Sequence, residues 1–185
     1  MQATTNTYCS FVQQKPKDDH HRIYHDTQYG FPINDDNELF GRLILEINQA
    51  GLSWDLILKK QENFRKAYSK FNIKKVAKYS EKDRERLLSN AGIIRNKLKI
   101  NAAIYNANQI LEMQKEHGSF QNWLDHHHPL SKEEWVKLFK KNFKFTGGEI
   151  TNEFLMSTGY LPGAHGTSCE IYKKILELRP AWHTR

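Results

Sequence analysis

Between Asp36 and Gly51, residues Leu39, Phe40, Leu43, Ile44, Ile47 and Ala50 recur three and four apart, which gathers them on one face of an α-helix. The same spacing, punctuated by capping residues, runs along most of the chain. No convincing period-two alternation or Asn-Gly hairpin signal interrupts it. This patterning places the fold in the all-α class. Asp35 or Asp36 can cap the first of these helices, which reaches about Ala50 and stops at Gly51. Ser53 opens a helix to about Tyr68, and a short one follows Asn72. Ser80 with Asp83 has the form of a capping box and starts a helix to about Asn90. A long helix is expected from about Arg95 to Glu116, another behind the Ser131–Glu134 cap, and a last one from Thr167 to about Leu178. With no internal repeat, low-complexity tract or linker, residues 1–185 read as a single domain.

One residue breaks the pattern. Glu46 lies three positions after Leu43 and four before Ala50, so it borders or enters the apolar face. A carboxylate there costs on the order of several kcal/mol unless it is paired, hydrogen-bonded or protonated. The pattern admits two readings: a structural pair with a core Arg or Lys, or a site carboxylate facing a pocket. Trp54, just past Gly51, is either an aromatic wall for that pocket or plain core.

The chain has only two cysteines, Cys9 and Cys169, near its opposite ends. The polar stretch from Met1 to His21 has no apolar core of a secretory signal, and no apolar run reaches the roughly 20 residues needed to span a bilayer. These features point to the cytoplasm, where ligation or burial of the thiols is favoured over a disulfide. His165-x-x-x-Cys169 has the spacing of two ligands on one helical turn or at a loop–helix junction, with Cys9 the other thiol and His25 a candidate fourth ligand. Four N/S ligands make a closed tetrahedral Zn2+ site, which is structural because no position is left for a reacting water. The His126-His127-His128 run reads instead as a solvated turn before Pro129.

Lys and Arg total 28 against 21 Asp and Glu, a formal net charge of +7 that suits a polyanion. The stretch from Leu87 to Lys97 reads as helix, Gly turn, helix. Such a turn can leave amides at the start of the next helix free for an anion, with Arg95, Lys97 and Lys99 supplying charge. An ordinary pair of helices with a solvated basic face fits the same residues.

Six stretches in order, from about residue 8 to 172, resemble the 3-methyladenine DNA glycosylase I family. They are Tyr24-His25-Asp26-x-x-Tyr29-Gly30, Leu45-Glu46-x-x-Gln49-Ala50-Gly51-Leu52-Ser53-Trp54, Leu58-Lys59-Lys60-x-Glu62-Asn63, Ala91-Gly92-Ile93-Ile94-Arg95-x-Lys97-x-Lys99-Ile100, Phe143-Lys144-Phe145-x-Gly147 and His165-x-x-x-Cys169. The resemblance implies a helix-hairpin-helix glycosylase fold, with the hairpin at about residues 81–102 and DNA-backbone contacts from Gly92, Ile93, Ile94, Arg95 and Lys97. It implies zinc held by Cys9, His25, His165 and Cys169, clipping the N- and C-terminal segments together. It also implies that a damaged nucleotide is flipped from double-stranded DNA into a pocket. There Glu46 hydrogen-bonds the base in the one catalytic role assigned, and Tyr24, Tyr29 and Trp54 offer aromatic faces. The activity implied is excision of 3-methyladenine in base-excision repair, by a chain that nothing requires to be more than a monomer.

The chain departs from the family pattern in places. Tyr29 stands for the usual tryptophan, Asn48 for a usual Gln or Gly-Gln arrangement, and Glu149 for a threonine. Asn152 stands for a tyrosine and Glu153 for Ser or Ala. Glu149 in particular is expected to lie beside Glu46, where like-charge coupling raises the pKa of one of the pair. The alternatives these changes leave are a paralogue with another alkyl-base preference, or a zinc-stabilised DNA-binding module without excision.

Overall fold

A computed structural model of the protein describes residues 7–183. It is all-helical, and no strand occurs among the described residues. The α-helices are α1 (Thr7–Gln13), α2 (His20–Thr27), α3 (Asp36–Gln49), α4 (Trp54–Ala67), α5 (Ile73–Val76), α6 (Glu81–Leu88), α7 (Lys97–His117), α8 (Phe120–His127), α9 (Lys132–Asn142), α10 (Gly148–Ser157) and α11 (Glu170–Glu177). The chain divides into two compact units. One spans Asn34–Thr151, and the other joins the described residues up to Ile33 with those from Asn152 onward. Among the described residues, no helix is long and apolar enough to cross a membrane.

Within the Asn34–Thr151 unit, α3 is the buried helix. Every residue from Leu39 to Asn48 is buried, not only the apolar stripe visible in the sequence, because α4, α5, α7 and α8 all pack against it. Gly41 permits the close approach of the turn between α4 and α5: a methyl there would run into the Phe71 ring. Bidentate hydrogen bonds from Arg65 to Glu38, at 2.8 and 2.6 Å, tie α4 to the start of α3.

The caps explain most helix ends. Asp35 is the N-cap of α3, accepting from the Glu38 amide at 2.9 Å. Asp36 does different work. Its carboxylate accepts from the Phe120 and Gln121 amides at 2.7 and 3.0 Å and from the Gln114 side chain at 2.6 Å, holding the start of α8. Both expected capping boxes, Ser80–Asp83 and Ser131–Glu134, are formed. Helix α7 starts at Lys97 rather than Arg95 because Asn96 caps it, and α11 starts at Glu170 rather than Thr167 with Cys169 at its N-cap. The histidine run is not a solvated turn. His126 and His127 end α8, His127 and His128 are half-buried, and a His127 ring nitrogen lies 2.8 Å from the Trp123 carbonyl oxygen.

Candidate functional site

Four side chains from both chain ends converge in the terminal unit. Cys9 is on α1, His25 on the last turn of α2, His165 in the loop before α11 and Cys169 at its N-cap. Their candidate donor atoms all lie within 4.8 Å of one another, and all four residues are buried. His165 Nδ1 is 3.6 Å from Cys169 Sγ and 3.8 Å from Cys9 Sγ, and His25 Nε2 is 3.8 Å from Cys169 Sγ. A tetrahedral ion with bonds of about 2.1 Å to nitrogen and 2.3 Å to sulfur sets nitrogen–sulfur edges of about 3.6 Å. The donors therefore stand at metal-site spacing, and the cluster can hold a metal.

The surroundings aim these donors. His25 Nδ1 pairs with Asp26 Oδ1 at 2.6 Å, leaving Nε2 to face the thiols. His165 Nε2 donates to the Tyr29 carbonyl at 2.8 Å, leaving Nδ1 to face them. Partial burial works against the Asp26 carboxylate, but hydrogen bonds from His25 and Arg22 outweigh it and hold its pKa below the usual value. Burial pushes His165 down to about 4 and the Cys9 thiol up to about 11. The imidazole is thus neutral and ready to ligate, whereas the thiol needs a cation to ionise. Gly30 sits at φ +81° where a Cβ would stand 2.8 Å from the Ala164 side chain, so only glycine lets this loop approach His165.

The expected base-binding residues are distributed over both units. In the terminal unit Tyr24 and Tyr29 are 2% and 8% exposed, with ring centroids 5.6 Å apart at 32°. In the other, Glu46 is 4% exposed within α3, and Trp54 is half-buried at the first position of α4, behind its Ser53 cap. The buried arginine left open by the sequence pattern has a candidate in Arg42, one turn before Glu46 and 6% exposed.

The hairpin is formed by α6, the turn over residues 89–96 and α7. Arg95 and Lys97 are exposed, Gly92 and Ile94 are half-buried, and the Ile93 side chain points inward at 3% exposure. The turn is braced from α4. Lys60 donates to the Ala91 carbonyl at 2.9 Å, and a Cβ at Gly92 would stand 3.3 Å from Asn63. Two expectations here are corrected. The first amides of α7 are not left open for an anion, because the Asn96 side chain accepts from those of Leu98 and Lys99 at 2.9 and 3.2 Å. Nor does Lys99 face outward with Arg95 and Lys97. It is 5% exposed, and its ammonium donates to the Asn48 and Ala50 carbonyls at 2.9 and 2.7 Å, closing the C-terminus of α3. Burial lowers its pKa from the ordinary lysine value. A buried polar demand at the end of α3 was the missing signal, and a sequence does not display it.

Glu149 is also corrected. Its side chain is 88% exposed and lies 3.9 Å from Lys132, so it does not join Glu46 as a second buried carboxylate. Glu153, one turn further along the same helix, accepts a hydrogen bond from the Tyr29 hydroxyl at 3.2 Å.

Residues 14–137 match the family described as methyladenine glycosylase. DNA-3-methyladenine glycosylase 1 of Escherichia coli is 36% identical, over 89% of this chain and 96% of that protein. The DNA-3-methyladenine glycosylase of Haemophilus influenzae is 40% identical over 55% of each. Among solved structures, 3-methyladenine DNA glycosylase I from Staphylococcus aureus aligns with a TM-score of 0.79 at 27% identity, covering 91% of this chain and 97% of that one. A crystal structure of a 3-methyladenine DNA glycosylase I aligns with a TM-score of 0.76 at 35% identity, covering 88% and 97%.

Proposed function

The chain belongs to the methyladenine glycosylase family, and from that premise we infer that it is a base-excision repair enzyme hydrolysing the N-glycosidic bond of 3-methyladenine in alkylated DNA. We propose the following division of labour. The hairpin of residues 81–102 takes the backbone of double-stranded DNA at the turn of Gly92, Ile93 and Ile94 and with the exposed Arg95 and Lys97 side chains. The damaged nucleotide is turned out of the helix. Glu46 hydrogen-bonds the base, and Tyr24, Tyr29 and Trp54 offer it their ring faces. The chain acts in the cytoplasm as a monomer.

The chemistry asks little acid of the protein. Methylation at N3 gives the base a positive charge, so the glycosidic electron pair passes readily to N9 and the base departs neutral as water adds to the sugar carbon and releases a proton to solvent. Aromatic faces attract the cation by about 0.5–2 kcal/mol each, and a carboxylate favours it further. No general base is assigned. The observation that supports this reading most is Glu46 itself, a carboxylate 4% exposed in a helix otherwise packed mainly with apolar side chains. Arg42, 6% exposed, lies one turn before it in the same helix.

The buried cluster of Cys9, His25, His165 and Cys169 fits a structural Zn2+ in its donor set and spacing. When bound, the ion supplies a cross-link and no reacting ligand, since four protein donors fill a tetrahedron. His25 and His165 are turned toward it by Asp26 and the Tyr29 carbonyl.

The test is incubation of the metal-loaded protein with methylated duplex DNA and separation of the free bases. Release of 3-methyladenine is expected. Release of a different alkylated base would point to a changed preference, and tight DNA binding without any release would sink the enzymatic reading.

A further inference from the structure

Several contacts within the terminal unit hold Tyr29, and three of them bear on its orientation. Its carbonyl accepts from His165 Nε2 at 2.8 Å. Its ring lies 5.6 Å from that of Tyr24, tilted by 32°. Its hydroxyl donates to Glu153 Oε2 at 3.2 Å across 124 positions of sequence. A phenol buried to 8% exposure needs an acceptor for its O–H, and an acidic side chain on α10 supplies a strong one.

We infer that Glu153 is a positioning residue for base recognition, orienting the Tyr29 ring and enriching its electron density so that it favours a cationic base. Glu153 acts only through Tyr29 and touches no reacting atom. Donation of the phenolic hydrogen to a carboxylate shifts electron density into the ring, which strengthens the attraction between its face and a positive charge. The anchoring also removes a rotation that an unbonded phenol would keep. The metal cluster contributes to the same end, because the backbone carbonyl that orients His165 belongs to the same tyrosine. This inference rests on the assignment of Tyr29 to the base pocket.

The experiment is a double-mutant cycle in the full, metal-loaded chain: Tyr29→Phe, Glu153→Ala and the two combined, with Glu153→Gln as the conservative variant. Single-turnover release of 3-methyladenine from methylated duplex DNA is measured as a function of enzyme concentration. Metal content and melting temperature are recorded for each protein. Each single variant is expected to lose about tenfold in kcat/KM at unchanged metal content. The combined variant should be no worse than the weaker single, and Glu153→Gln, which keeps an acceptor, should recover most of the loss. Additive losses, full activity in Glu153→Ala, or losses that follow metal content or melting temperature would each overturn the inference. Should Glu153→Ala not fold, Glu153→Gln against Tyr29→Phe decides it: equal losses in the two contradict an acceptor role. Glu46→Gln is run alongside. If it keeps full activity, the base-recognition reading fails. If it loses activity while the Glu153 variants do not, only the positioning role fails.

Discussion

Glu46 shows how one residue can combine two demands. Its helix is buried along ten consecutive positions, yet it places Arg42 and Glu46 one turn apart among them. Glu46→Gln keeps the shape and removes the charge. Excision of 3-methyladenine should fall by at least about tenfold, with the melting temperature nearly unchanged, since the amide retains hydrogen-bonding capacity. Full excision by that variant would take Glu46 out of the site. Two glycines give a cleaner contrast. Gly30 and Gly51 have φ +81° and +79°, but a Cβ meets Ala164 at 2.8 Å at the first and open space at the second. Gly51→Ala should cost only the backbone term, about 1 kcal/mol. Gly30→Ala should cost distinctly more, about 2–3 kcal/mol by urea unfolding. Equal costs would mean that close packing does not decide the position. Glu46 was legible in the sequence as an oddity, and Gly30 only as part of a motif. What Gly30 packs against, Ala164, is a long way off along the chain.

At the scale of elements, the hairpin and α3 share a residue. Lys99 leaves α7 to close the end of α3 through two carbonyls, at the point where the chain turns toward Trp54. Lys99→Met keeps the buried stem and removes the donor, leaving those carbonyls unsatisfied. It should destabilise the protein by about 2–3 kcal/mol in chemical denaturation without altering the salt dependence of DNA binding. The exposed pair behaves oppositely. Arg95→Ala or Lys97→Ala should weaken binding to any duplex and lower the slope of log affinity against log salt by about one each, with stability unchanged. An unchanged slope would remove them from the interface. The capping boxes set a pH dependence. Backbone hydrogen bonds at Ser80 and Ser131 hold the Asp83 and Glu134 carboxyls below their ordinary pKa values. Folded values lower than unfolded ones add stability above the ordinary carboxylate range, and that stability is lost as pH falls through the folded pKa. Replacing both acids by their amides should therefore flatten the loss of stability between neutral pH and the folded-state pKa. A variant that loses stability as steeply as the parent would contradict the assignment. The boxes were readable from spacing alone because they are local. Helices α2 and α8 had comparable cap residues in Asp19 and Ser119, but each is only 8 residues long, too short for its pattern to stand out along the chain.

For the molecule as a whole, the Cys/His cluster that can hold a metal gathers both ends of the chain. Cys9 and His165 are 156 positions apart in sequence, and a cross-link over so long a loop removes much of the freedom of the unfolded chain. Stripping the ion with a chelator should lower the melting temperature by at least about 5 °C and lower hydrogen-exchange protection in α11 first. Cys169→Ser should lose the metal with DNA-sequence preference largely kept. Retention of full metal content by that variant would show the ligand set to be wrong. The net charge of +7 is a property of the same scale. It favours any polyanion and names none.

What the amino-acid order determined by itself was everything carried by short range: the helical class, the caps, the turn at Gly51, the pair His165 and Cys169, and the motif string around Glu46. These follow from spacing within one or two turns, where chain geometry leaves few alternatives. Tertiary structure decided the rest. Lys99 went inward, Glu149 outward, Asp36 to another helix, and Glu153 onto Tyr29. In each case the partner that settles a side chain's energy is contributed by a distant segment, and burial, which sets the worth of a charge or hydroxyl, exists only once the segments have packed.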